Sequence, residues 1–306
     1  IQQYLDNMKE IQSILLNLLE YESNVEENYQ NLISKFNEMQ IRNDIHLLKM
    51  FLHMISKISN NHQRLPNFID KIEKILKYLS DDITKYFSNS AIFNIFKNNK
   101  RILLFLIEEK ILIIDEYVFK KIISNKFKYA NYLQYFAPEL NSFIEENGEK
   151  ILQSKNISEK QTDEYQIKPS FVLLRQRTTS IKDQLNNIQQ FYKQLPENFY
   201  ENRKIGENEG EISKLIRQDL IDEFITFVKK RDYPLKSRIQ YSIYETNSFL
   251  LKKFSIQLIE YAAFFGSRQI FNYLRLNGVV LTSTLWLYSI HGQDEEIIHI
   301  LEEKKY

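Results

Sequence analysis

Cysteine is absent from this chain of 306 residues. Disulfides, thiolate metal sites and cysteine nucleophiles are therefore excluded. Glycine and proline are scarce, at six and five. Strand-rich folds need many turns punctuated by Gly, Pro, Asn or Asp, so the shortage favours helices joined by short polar connections. No charge of one sign dominates: 41 Lys and Arg face 40 Asp and Glu, for a net charge of +1. Phosphate contacts supply the affinity of nucleic-acid binders, and this balance argues against such a role. Long apolar runs are missing too. The best, Ile102 to Ile107, lies between Arg101 and Glu108 and is far shorter than the ~20 residues of a membrane span. The opening segment is amphipathic and lacks the apolar core of a signal peptide. These features point to an intracellular protein, cytoplasmic or nuclear.

What is present is helical periodicity. The chain is 43% hydrophobic and 26% charged, ordinary values for a folded protein. Apolar residues recur at spacings of three and four through Ile1, Leu5, Met8, Ile11, Leu15, Leu18 and Leu19. Further stripes run from Val25 to Met39, from Ile45 to Ile58 and from Phe68 to Leu79. Asn24, three residues before Glu27, reads as a capping box, and Pro66 falls where the fourth helix would begin. Residues 153–168 are polar and nearly aperiodic, as are residues 196–210, with one helix between them. The expected organisation is an N-terminal helical array over residues 1–152, a linker with one helix over 153–210, and helix pairs over 211–306.

The segment Leu258 to Gly278 carries a more specific pattern. Ile259, Ala262, Ala263, Gly266, Ile270, Phe271, Leu274 and Gly278 fall on the landmarks of an ankyrin unit in one ungapped register. The alanines let paired helices approach closely. Gly266 suits the turn between them, where positive φ is cheap for glycine, and Gly278 suits the end of the second helix. A second unit follows, with Leu285 to Gly292, then Ile297, Ile298 and Leu301. Two looser upstream matches place Asp219 and Asn99 at the turn position. The expected fold is all-α, an α-solenoid of helix pairs that is ankyrin-repeat-like at its C-terminal end.

The chain resembles the N-terminal helical domain of unknown function found in ankyrin-repeat proteins of trichomonad-type parasitic protists. The likeness rests on Lys214 to Asp219, Tyr244 to Leu250, Leu258 to Gly266 and Trp286 to Gly292, with weaker likeness at residues 45–60 and 90–120. It implies that regular ankyrin repeats continue after Tyr306, and it brings no catalytic residues. The apolar run of Ile297, Ile298, Ile300 and Leu301 agrees, because a solenoid end must cover its last repeat.

Ankyrin-type solenoids bind proteins through inner helices and the loops between units. On that analogy Tyr261, Phe264, Phe265, Leu287 and His291 are the protein-binding candidates, as outward positions of the first helices. Packing against the preceding pair would use the same aromatics, and the sequence leaves both open. Arg175-Gln-Arg177-Thr-Thr-Ser180 fits an arginine-directed kinase pattern, which makes Ser180 a candidate phosphorylation site.

Chemistry is otherwise weakly signalled. No Gly-x-Gly-x-x-Gly, phosphate-binding loop or Gly-x-Ser-x-Gly occurs, and adjacent carboxylates such as Glu26-Glu27 read as solvated helix faces. His46, His53 and His62 lack the spacing of metal ligands. Lys120, Lys121, Lys126 and Lys128 interleave with Phe119, Phe127 and Tyr129 at helical spacing, which fits core packing better than a single-strand platform. The expectation is a non-catalytic protein-binding scaffold with no cofactor and no metal. The alternatives are a helical hydrolase with a site assembled from distant residues, which would show a deep pocket, and a nucleic-acid-binding helical protein.

Overall fold

The computed structural model describes residues 2–21, 23–61, 67–123, 132–153, 181–252 and 256–303. Among the described residues the chain is all-α, with nineteen α-helices and a short 3-10 turn. One isolated antiparallel bridge joins Arg238 to Gln257, and no longer strand occurs among them.

The four opening stripes fold as α1 (Gln2–Glu20), α2 (Val25–Glu38), α3 (Ile45–Asn61) and α4 (Phe68–Tyr78). Stripe residues such as Ile11, Leu15, Leu32, Phe51 and Ile72 are fully buried. The capping box expected at Asn24 does not form. Its φ is 59° and its side chain makes no capping hydrogen bond, because side-chain capping needs the extended backbone of an ordinary N-cap. Pro66 and His62 lie outside the described residues.

Five short helices follow: α5 (Ser80–Tyr86), α6 (Asn89–Phe96), α7 (Lys100–Glu108), α8 (Glu116–Ile123) and α9 (Tyr132–Tyr135), then the longer α10 (Ala137–Gln153). The apolar run of α7 is buried on all sides, with Ile102, Leu103, Leu104 and Leu106 all within the core, as an all-round apolar helix requires. Asn99 departs from the turn role expected of it. Its backbone is extended (φ −128°), and its side chain accepts hydrogen bonds from the Arg101 and Ile102 amides, so it caps α7.

The linker expected over residues 153–210 is corrected in its described part. Two helices lie there, α11 (Ile181–Lys193) and α12 (Phe199–Ile205). Helix α11 packs on α9 and α10, burying Leu185 and Ile188 in the same core as α1–α10, and α12 buries Phe199 and Arg203. Spaced apolar residues in a polar sequence were enough to seat both. The polar stretch 154–168 and Ser180 lie outside the described residues.

A second core holds the C-terminal helices. These are α13 (Glu211–Arg217), α14 (Ile221–Lys230), α15 (Ser248–Lys252), α16 (Leu258–Phe265), α17 (Arg268–Leu276), α18 (Leu285–Gly292) and α19 (Glu295–Glu303). Helices α13/α14, α16/α17 and α18/α19 form three antiparallel pairs. The first helices stack in one row, α13 on α16 on α18, and the second helices stack in another, α14 on α17 on α19. The turn inside each pair holds a left-handed residue: Asp219 (φ 51°), Gly266 (φ 65°) and Gln293 (φ 52°). All four boundaries of α18/α19 lie 27 residues after those of α16/α17. Buried residues keep the same offset: Leu258 and Leu285, Tyr261 and Tyr288, Ile270 and Ile297, Leu274 and Leu301. The starts of α13 and α14 precede those of α16 and α17 by 47. The longer connection carries α15.

Gly292 was expected in the turn, but it is the last residue of α18, and Gln293 makes the turn. The reason it must be glycine is contact. A Cβ at 292 would lie 2.0 Å from the Ala263 carbonyl oxygen, and one at 266 would lie 2.8 Å from the Gly292 carbonyl oxygen. Helices α16 and α18 meet there backbone to backbone. At their other ends the Thr284 hydroxyl donates to Glu260 Oε1 at 2.9 Å, so the two helices run parallel. The run from Ile297 to Leu301 is also corrected: Ile297, Ile300 and Leu301 are buried within the fold, and only Ile298 is half-buried.

Two substitutions test this packing by thermal unfolding. Gly292→Ala forces a methyl group onto the Ala263 carbonyl and is expected to cost about 2 kcal/mol. Gly266→Val adds strain at positive φ and is expected to cost about 1 kcal/mol or more. Unchanged melting temperatures in both variants would contradict the close approach.

Candidate functional site

The inner row of first helices is where binding was expected. Tyr261 and Phe264 are only 1% exposed, so of the two readings the sequence leaves open, outward or packed, the packed one holds for both. The Tyr261 hydroxyl accepts from Arg217 Nη1 on α13 at 3.0 Å, and burial pushes its phenol well above the usual range. Phe264 stacks on Phe249 of α15 at 5.6 Å between ring centroids. His291 is half-buried and lies 4.3 Å from the same Phe249 ring, which also meets Tyr288 at 5.3 Å. The aromatic face of α16 and α18 therefore exists, but the chain's own α15 covers it.

Phe265 is the candidate that keeps an outlet. It is half-buried, packs on Tyr261 at 4.7 Å, and lines an open cleft of about 510 Å³. The cleft lies where the C-terminal ends of α12, α13 and α16 face the N-terminal end of α4, and Asp70, Lys204, Ile205, Glu207 and Arg217 also border it. Ile205 is 50% exposed, so the cleft combines an aromatic and an aliphatic side chain with charges of both signs. Arg217 Nε pairs with Glu207 at 2.9 Å. Leu287 is separate from this group. It is exposed on the side of α18 opposite α16, next to exposed Ile290. The structure thus brings together Tyr261, Phe264, Phe265 and His291 and places Leu287 elsewhere. Phe249 and Ile205 were missed, since neither stands in a periodic pattern.

A buried polar seam joins the two cores beside the cleft. Lys100 is fully buried, and its Nζ donates to the Ile243 carbonyl at 2.7 Å. Arg101 Nε donates to the Lys204 carbonyl at 2.6 Å, and its Nη1 pairs with Glu73 at 2.5 Å. Arg203 Nη2 pairs with Glu139 at 2.7 Å, while the Tyr135 hydroxyl donates to the Arg203 carbonyl at 2.9 Å. Thr246 reaches the Gly206 carbonyl through both its amide, at 3.1 Å, and its hydroxyl, at 2.8 Å. Burial pushes the Glu73 carboxyl up to about 7, against the opposing pull of Arg101 and with help from nearby Asp70 and Glu108.

Other candidates resolve simply. His46 and His53 are exposed, and no group of three or more His, Asp or Glu able to hold a metal occurs among the described residues. Phe119 is buried and stacks on Phe143 at 4.7 Å, whereas Lys126, Phe127, Lys128 and Tyr129 lie outside the described residues. Among the described residues no helix is long and apolar enough to cross a membrane. In comparisons with known proteins, no family model, no curated protein and no solved structure matches the chain.

Glu73 generates a pH prediction. Its folded value near 7 stands above the ordinary 4.5, so the folded state holds the proton more tightly than the unfolded state. Its contribution is fully present below about pH 4.5 and is lost as pH rises through 7. Thermal midpoints of the wild type are expected to carry a falling component across that window, and Glu73→Gln is expected to remove it. Identical pH profiles for the two proteins would contradict the assignment.

Proposed function

We propose that the chain is a non-catalytic protein-binding scaffold of ankyrin type, working inside the cell, and that it belongs with the helical domains of ankyrin-repeat proteins that its sequence resembles. The observation that carries this reading is the 27-residue offset shared by the boundaries and buried positions of α16/α17 and α18/α19. Stacked pairs of this kind offer their inner side and the ends of their inner helices to partners. Here α15 covers the middle of the inner side, so binding falls to the ends of the inner helices, at the cleft bordered by Ile205 and Phe265. An apolar pair flanked by Asp70 and Lys204 suits a peptide segment with an apolar anchor and charges beside it.

Photo-cross-linking in cells that make the protein tests this. A photoreactive residue in place of Ile205 is expected to capture one or a few discrete partners, and adding Phe265→Ala is expected to lower capture about tenfold. The same residue in place of Ile113, which is exposed and does not border the cleft, is the control. Equal capture from both positions, or capture indifferent to Phe265→Ala, would overturn the proposal.

A further inference from the structure

The 27-residue offset identifies which positions of each pair receive the next one. On α16 and α17 these include Glu260, Ala263 and Phe271, which are 8%, 0% and 0% exposed beneath α18 and α19. Their counterparts are Leu287, Ile290 and Ile298. Leu287 is 52% exposed, Ile290 is 62% exposed, and Ile298 is half-buried. Leu287 and Ile290 are three residues apart and so lie on one helix face, opposite the face of α18 that buries Leu285, Tyr288 and Gly292. A polar and a small residue occupy the covered site, whereas two large aliphatic residues occupy the uncovered one. Solvent gives no reason for that exchange.

We propose that this end face of the stack is a docking site for an amphipathic helix of a partner protein, one whose apolar stripe is flanked by Lys or Arg. The helical form follows from the equivalent face of α16, whose occupant is the parallel helix α18. The basic flank follows from charge. Among the described residues, the exposed side of α19 carries Glu295, Glu302 and Glu303, with His299 beside the last two. A second copy of this chain would set these carboxylates against their own counterparts, and like charges across an interface oppose association. A basic flank would satisfy them. Leu287 and Ile290 forbid the backbone contact seen at Gly292, so the incoming helix sits at an ordinary interhelical distance of about 8–10 Å. The site requires the stacking of the pairs and is independent of the cleft.

The test uses a designed helical peptide with a leucine–alanine stripe and lysine flanks, a version with glutamate flanks, and a proline-broken version. Because the full chain has no cysteine, Leu287→Cys provides a unique thiol for an environment-sensitive fluorophore that reports docking directly. Unlabelled protein and labelled peptide give affinities by fluorescence anisotropy. The lysine-flanked helix is expected to bind and to change the fluorophore's emission. The other two peptides are expected to bind at least about tenfold more weakly, and Leu287→Asp with Ile290→Asp to weaken the first by about tenfold or more. Both residues are exposed, and circular dichroism checks that the double variant keeps its helices. Unchanged affinity in the double variant, equal binding of the glutamate-flanked peptide, or a silent fluorophore would overturn the proposal. So would sedimentation showing a wild-type dimer that the double variant dissolves, since the face would then belong to a second copy.

Discussion

The distance between two parallel helices at Ala263 and Gly292 constrains the C-terminal half of the molecule. A Cβ at position 292 would lie 2.0 Å from the Ala263 carbonyl oxygen, so the stack of α13, α16 and α18 closes only with glycine there. Much else follows from that spacing. It brings Glu260 within reach of the Thr284 hydroxyl and puts the Phe264 and His291 rings 5.1 Å apart. The two rings together make the surface on which Phe249 rests. The aromatic face that looks like a binding surface in the sequence is thereby joined to α15, and α15 in turn packs against α3. The binding sites proposed above therefore lie at the margins of the stack, at the cleft beside Phe265 and at the end face of α18.

The junction between the two cores is polar, and this has a cost. Lys100 and Arg203 are both essentially buried, and removing charges from water is costly unless they are paired or hydrogen-bonded. Here Lys100 donates to the Ile243 backbone carbonyl and Arg203 forms an ion pair with Glu139. Such contacts are directional and specify one docking geometry more sharply than apolar packing does. They tie residues 204–207 to residues 242–247 and to the first core, and Lys204, Ile205 and Glu207 shape one wall of the cleft. The binding reading and the seam are thus two consequences of the same placement.

Much of this was legible in the sequence, for identifiable reasons. Amphipathic stripes located α1 to α4, because buried positions such as Leu15 and Phe51 follow helical spacing directly. Asp219 was correctly read as a left-handed turn residue. The second unit was placed one residue out because Gly292 drew the alignment, whereas the glycine answers a helix contact and Gln293 makes the turn. Counting from the apolar pairs Ile270/Ile297 and Leu274/Leu301 would have found the correct offset. The burial of Tyr261 and Phe264 was legible only as one of two open readings, since it depends on Arg217 and on Phe249, whose five-residue helix leaves no periodic trace. The polar seam was equally hidden: Lys100 and Arg101 look like ordinary solvated residues until carbonyls 143 and 103 positions away come to meet them.

Native-state hydrogen exchange in low denaturant tests most directly whether the three pairs form one stack closed by α15. The account predicts that the slowest amides of α13, α16 and α18 open with a common free energy. It further predicts that Phe249→Ala lowers protection in α16 and α18 together while α1 to α4 keep theirs. If α18 instead opened by itself at a lower free energy, and Phe249→Ala left α16 and α18 unchanged, the stack would not be a single cooperative unit and the central account would be wrong.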